Sequence, residues 1–306
     1  MDLRDMRFRF SAVGAAIVLV TGFLVVTRAD PSDHVRDWVP PASPGVPAPD
    51  PGRTRRVALN SEPADYTRLK ELGYDVVDVE ADASLIAGVP QGMQAMLWVG
   101  NFHCGAFHLD MEAFRRAVDR FGRNEKVYGW YLSDEPNTGE CPEVVDEIRN
   151  RAEYIRRHAP GQVSYIALTD WPMRSLTPQR VSVDLVGLDP YPCKGSPTPL
   201  DDCDIRAVDR MVRMVDDAGI PRGKVAPVLQ TFGQDCSTGD KQYWLPTEGQ
   251  FREILARWDR LVPTPRLEVT YSWGHQDEWA CPTLADATGG DHPDLQSIIR
   301  SRYAGR

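Results

Sequence analysis

The sequence predicts a single α/β domain built as a (β/α)8 barrel, the TIM-barrel architecture, preceded by an export segment and a Pro-rich spacer. Three observations carry this expectation. Eight short apolar or β-branched runs alternate with segments of helical spacing. The alternation covers residues 56–306, close to the usual length of about 250 residues for this fold. The first run leads into Leu59-Asn60-Ser61-Glu62-Pro63, a helix start and not the Gly-rich phosphate loop of an open doubly wound sheet.

The elements follow in order. Strands are expected at Arg56–Leu59, Val76–Val79, Ala95–Val99, Val127–Leu132, Val163–Leu168, Leu185–Leu188, Val225–Leu229 and Leu267–Ser272. The helices between them show apolar stripes. Phe114, Ala117, Val118 and Phe121 form one, and Val145, Ile148, Ala152 and Ile155 another. Val208, Met211, Val212 and Val215, then Phe251, Ile254, Leu255 and Trp258, repeat the pattern. A stripe of this kind gives a helix one face to lay against a sheet.

The first 30 residues read as a targeting segment. Arg4, Arg7 and Arg9 precede an uncharged, mainly apolar run from Phe10 to Val26, the order of a signal peptide or an uncleaved signal anchor. Residues 31–55 carry Pro31, Pro40, Pro41, Pro44, Pro47, Pro49 and Pro51 and read as an extended spacer. Arg53, Arg55 and Arg56 read as its solvated end. The chain is expected outside the cytoplasm, secreted or held to the membrane by its N-terminal segment alone. A net charge of −9 argues against a nucleic-acid partner.

All six cysteines fall after the C-terminal ends of strands. Neighbouring loops are neighbours in space, so the expected disulfides are Cys104–Cys141, Cys193–Cys203 and Cys236–Cys281. They would staple the barrel face on which active sites form. No C-x2-C pair and no HExxH stretch is present, so neither a metal nor another cofactor is expected.

The feature richest in chemistry is Val127-Tyr-Gly-Trp-Tyr-Leu-Ser-Asp134-Glu135-Pro136-Asn137. A Glu at the end of strand four points into the barrel mouth. Burial and the adjacent Asp134 would raise its pKa, as a general acid requires. The bland alternative is a helix N-cap Asp with a first-turn Glu. Asn101 and His103 after strand three, Asp170 and Trp171 after strand five, and His275 and Gln276 after strand eight are candidate contacts for a polar ligand.

The stretch Trp130–Pro136 resembles the strand-four signature of the large retaining clan of barrel glycoside hydrolases, usually Asn-Glu-Pro, with Asp134 in place of Asn. The resemblance implies a carbohydrate substrate and Glu135 as acid. It also implies Trp273, near the end of strand eight, as a sugar-stacking floor. Leu188-Asp189-Pro190-Tyr191-Pro192 is similar to a strand-six loop of several sugar-cleaving barrels, which adds Asp189 and Tyr191.

One departure matters. The clan's nucleophile is a Glu ending strand seven, where this chain has Gln230 and Thr231. Gln230 then becomes a candidate substrate contact. Three readings stay open: inversion with Asp189 or Asp235 as base, attack by a group on the substrate itself as in glycoside hydrolase families 18 and 20, or sugar binding without cleavage.

Overall fold

The computed structural model describes residues 53–169, 173–195, 203–236, 241–277, 279–286 and 290–304. The export segment, most of the spacer, Asp170 and Trp171 lie outside the described residues.

Eight parallel strands close into a barrel. They are β1 Arg55–Ala58, β2 Val76–Glu80, β3 Gln94–Trp98 and β4 Val127–Ser133, then β5 Val163–Leu168, β6 Leu185–Leu188, β7 Val225–Gln230 and β8 Leu267–Tyr271. Each pairs with its neighbour, and β1 pairs with β8 from Arg55↔Leu267 to Ala58↔Thr270 to shut the ring. Every expected strand is present with its ends within one residue, the ordinary scatter of element boundaries. The helices are α1 Tyr66–Leu72, α2 Ala83–Gly88, α3 Met111–Phe121, α4 Val144–His158, α5 Pro178–Val181, α6 Arg206–Asp217, α7 Glu248–Leu261 and α8 Pro293–Ala304.

Local chemistry starts several helices where they begin. Asp82 accepts the Ser84 and Leu85 amides at 2.7 and 3.2 Å, and Asp110 accepts that of Ala113 at 2.7 Å. Thr247 and Gln250 form a reciprocal capping box at the head of α7. Two short hairpins, Phe102–His103 with Ala106–Phe107 and Ala285–Asp286 with Gly290–Asp291, decorate the loops after β3 and β8. Strands of two residues are too short to leave a periodic signal.

Apolar packing divides into two shells. Val77, Val79, Leu97, Trp130, Leu132, Ile166, Val186 and Leu229 face outward onto the helices. Val57, Val76, Met96, Val163, Leu185, Ala226, Val228, Leu267 and Val269 fill the barrel, with Tyr131 and Tyr165 above them. Strand alternation puts successive side chains on opposite faces, so each strand supplies both shells. Full burial of one such side chain contributes about 1.5–3 kcal/mol. The Trp258 indole belongs to the outer shell at 1% exposure, as its helical stripe predicts.

The Arg cluster is not a solvated linker end. Arg53 bonds to Asp75, and Arg55 lies 3.8 Å from the same carboxylate. Arg56 stacks 4.4 Å from the Tyr303 ring. These residues sit where β1 enters the barrel, because β1 begins at Arg55 inside the expected spacer.

At the opposite face the disulfides form the pairs expected from loop adjacency. Cys104–Cys141 ties the β3 loop to the β4 loop, Cys193–Cys203 closes the β6 loop, and Cys236–Cys281 ties the β7 loop to the β8 loop.

Candidate active site

The β4 end is held from two sides. The Asn101 side-chain oxygen accepts the Asp134 amide at 2.7 Å and the Ser133 hydroxyl at 3.3 Å. The Glu135 amide donates to the Ala167 carbonyl of β5 at 3.2 Å. Glu135 sits at φ 42°, a left-handed backbone uncommon for a non-glycine residue. Helix α4 starts only at Val144, so Asp134 is not its cap. The chain turns sharply at Glu135 and sends its carboxylate across the mouth.

There it meets β6. The side chains of Glu135 and Asp189 are hydrogen-bonded to each other. Asp189 is 4% exposed, and its amide donates to the Leu168 carbonyl at 3.4 Å. Burial holds the Asp189 carboxyl well above the usual carboxylate range, and the neighbouring charges of Glu135 and Asp134 push the same way. Asp134 is also raised by burial, against the Tyr131 hydroxyl that donates to it at 2.6 Å. Two carboxyls in direct contact at a buried site cannot both ionise without large repulsion. The pair therefore retains a proton. Glu135 remains exposed at the rim, where an incoming molecule meets it first.

Aromatic rings enclose this cluster. Tyr191, Phe232, Tyr243 and Tyr271 pack on one another with centroid separations of 4.9–5.8 Å. Burial, then the three acids, raises the Tyr271 hydroxyl, which places that ring beside them. On the other side Trp98 packs edge-on against Tyr131 at 4.7 Å, and Tyr131 against Tyr165 at 4.8 Å. Trp98 thus faces the barrel mouth.

A polar arc closes the remaining side. Gln276 accepts from the Tyr271 hydroxyl at 2.7 Å and from Asn60 Nδ2 at 3.0 Å. The Asn60 and Ser61 amides donate to Asp78 at 3.1 and 3.5 Å. Burial pushes the Asp78 carboxyl up to about 6, against the pull of those two amides.

Of the residues expected at the site, Asp134, Glu135, Asp189, Tyr191, Asn101 and Gln276 converge on this mouth. His275 is exposed beyond it. His103 lies in the Phe102–His103 strand, and its side chain is outside the described residues.

Two expectations are corrected. Gln230 is no substrate contact: at 0% exposure its amide is consumed by the Cys193 amide and carbonyl and the Trp244 carbonyl. It pins the β6 and β7 loops together. Trp273 is no sugar floor. At 0% exposure it packs edge-on against Tyr74 in the outer shell: β8 ends at Tyr271, so the strand alternation that turns Tyr271 inward does not extend to Trp273. Asp235 is exposed on the β7 loop.

Sequence reasoning missed Asp78, Glu80, Phe232 and Tyr243. The two acids had a signal: in Val76-Val-Asp-Val-Glu80 they occupy the alternate positions that continue the inward register of Val76. The two aromatics lie in a long loop with no periodicity to read.

No protein-family model and no curated protein matches the sequence. Solved structures do share its fold. A β-galactosidase from the psychrophilic Marinomonas ef1 superposes with a TM-score of 0.55 at 10% identity, over 81% of this chain and 59% of that one. The Bifidobacterium dentium β-glucuronidase complexed with coumarin-3-O-glucuronide gives 0.58 at 14%, over 82% and 46%. The Faecalibacterium prausnitzii β-glucuronidase gives 0.57 at 12%, over 82% and 48%. The chain spans about half the length of these proteins. At such identities the likeness shows the (β/α)8 fold and nothing finer.

Proposed function

We propose that the protein is an extracytoplasmic glycoside hydrolase acting on an oligo- or polysaccharide, with Glu135 as the general acid. The observation that carries this reading is the proton-retaining contact of Glu135 with Asp189 in an aromatic-lined barrel mouth. A general acid needs a proton at working pH and access to the leaving oxygen. The hydrogen bond to Asp189 gives Glu135 a partner from which to draw a proton, and exposure at the rim provides the access.

Asp189 is the partner that keeps the proton on the pair, and Asp134 adds the charge that strengthens its hold. A retaining pair needs carboxyls about 5–5.5 Å apart, and an inverting pair about 6.5–9.5 Å. Acids in direct contact leave room for neither a sugar carbon nor a water between them. With Gln230 ending β7, the attacking oxygen comes from water or from the substrate itself. Tyr191, Tyr271 and Trp98 offer ring faces and edges to the apolar faces of sugars.

Glu135→Gln keeps the shape of the side chain and removes its proton chemistry. Loss of a general acid lowers turnover by about 10²–10⁴-fold. Release of reducing ends from a glycan panel measures this, with the circular dichroism spectrum unchanged. Undiminished release by the variant would refute the role of Glu135.

The absence of any acid at the β7 end favours a second reading, a carbohydrate-binding protein with a degenerate site. It predicts glycan binding with no reducing ends released by the native chain.

The three disulfides support an oxidising compartment, and the basic-then-apolar N-terminal pattern supports export through residues 1–30, with 31–55 as spacer. Among the described residues no helix is long and apolar enough to cross a membrane. Cell fractionation of the full chain tests the location: recovery with the cytoplasmic fraction would reject it.

A further inference from the structure

The charge around the mouth is one-sided. Only three of the chain's 35 Lys and Arg residues fall in the loops that follow the eight strands: Arg174, Lys194 and Lys241. Lys241 is spent on the Asp235 carbonyl at 2.6 Å, and Lys194 lies over the Tyr243 ring at 5.3 Å. Every one of those loops carries at least one acid. Part of that excess is ordinary capping, as Asp82 and Asp110 show at the heads of α2 and α3. The acids of the mouth itself are not caps. Asp78 and Glu80 follow Val76 in the inward register of β2, with His108 as the charged neighbour of Glu80, and Asp134, Glu135 and Asp189 follow β4 and β6 on the other side of the ring.

A second observation indicates what would complete the site. Asp189 is 96% buried, since its exposure is 4%, yet its Oδ1 has no hydrogen-bond partner. The Tyr165 hydroxyl, on a residue 1% exposed below it, has none either. An unfilled acceptor oxygen with further acids beside it calls for a donor that also carries positive charge. An ammonium group supplies three N–H donors and no acceptor. The rings of Trp98, Tyr191 and Tyr271 would hold the carbon frame of the same molecule and add attraction to a cation. A uronate carboxylate would meet carboxylates instead.

We propose that the mouth selects an amino sugar, with the protonated amine of a hexosamine unit held among Asp78, Glu80 and the Asp134–Glu135–Asp189 cluster. This deepens the glycosidase reading by naming the substrate class, and it can be tested without knowing the linkage. Methyl β-glycosides of glucosamine, glucose and glucuronic acid are titrated into the full chain and followed by isothermal calorimetry or saturation-transfer NMR.

Glucosamine is expected to bind at least about tenfold more tightly than glucose, with glucuronate weakest, and the preference is expected to shrink in high salt. Glu80→Gln, a change that adds no bulk, is expected to lower the preference several-fold. Equal binding of the three, tighter binding of glucuronate, or no binding of glucosamine overturns the proposal. An unchanged preference in Glu80→Gln removes β2 from it.

The two ideas fail separately. Turnover confined to neutral or uronic glycans defeats the amino-sugar selection and leaves the hydrolase standing. Tight glucosamine binding with no turnover of any glycan, including glucosamine oligomers, does the reverse.

Discussion

Asp189 carries the largest electrostatic burden in the mouth. Its folded-state pKa lies above the ordinary 3.8 because burial and two neighbouring acids disfavour its charge. The native protein therefore binds that proton more tightly than the unfolded chain does. Stability from this group is undiminished below 3.8 and falls as pH rises toward the folded value. Asp189→Asn removes the titration while keeping a donor for Glu135. The variant is expected to melt higher than the native chain at neutral pH, and the gain is expected to vanish below pH 3.8. Melting curves across pH check this. A variant no more stable at neutral pH would mean that Asp189 is not electrostatically strained.

At the scale of elements, β5 and β6 meet at a point that admits no side chain. A Cβ at Gly187 would lie 2.0 Å from the Tyr165 hydroxyl. That contact sits two residues before Asp189, so the glycine keeps β6 close to β5 and aims its end. Gly187→Ala is expected to cost about 1–3 kcal/mol, the usual range for overpacking. The Tyr165 hydroxyl has no partner, so Tyr165→Phe is expected to change stability by less than about 1 kcal/mol. It should also recover part of the Gly187→Ala loss in the double variant. Additive losses in denaturant melts would show that the clash is relieved elsewhere. Strand β2 carries the same lesson in another form. Asp78 and Glu80 are legible as inward-facing acids once the register of Val76 is known, and invisible while β2 is read only as an apolar run.

Across the whole molecule, the disulfides gather on the face that holds the candidate site. Cross-links stabilise mainly by restricting the unfolded chain, more so for longer loops. The separations are 45 residues for Cys236–Cys281, 37 for Cys104–Cys141 and 10 for Cys193–Cys203. Replacing both cysteines by Ala is expected to cost about 4 kcal/mol for the first pair and about 3 kcal/mol for the last. Reversal of that order in urea melts would place the stabilisation in native packing of the loops.

Much of this protein follows from its sequence alone. Strand and helix positions, the closed barrel and the loop-to-loop cysteine pairs are set by periodicity and chain order. Both are local, and a parallel barrel places consecutive strands side by side. The strand-four acids were legible for the same reason, since a strand end has one destination in this fold. What only the tertiary structure decided is which side chains at neighbouring strand ends face the same space. Gln230 turns to loop backbone, Trp273 turns outward, and Tyr271 takes the inward place. The contact of Glu135 with Asp189 joins strands two apart in the ring across a left-handed turn. Distances across the barrel depend on tilt and loop path, which no spacing along the chain encodes.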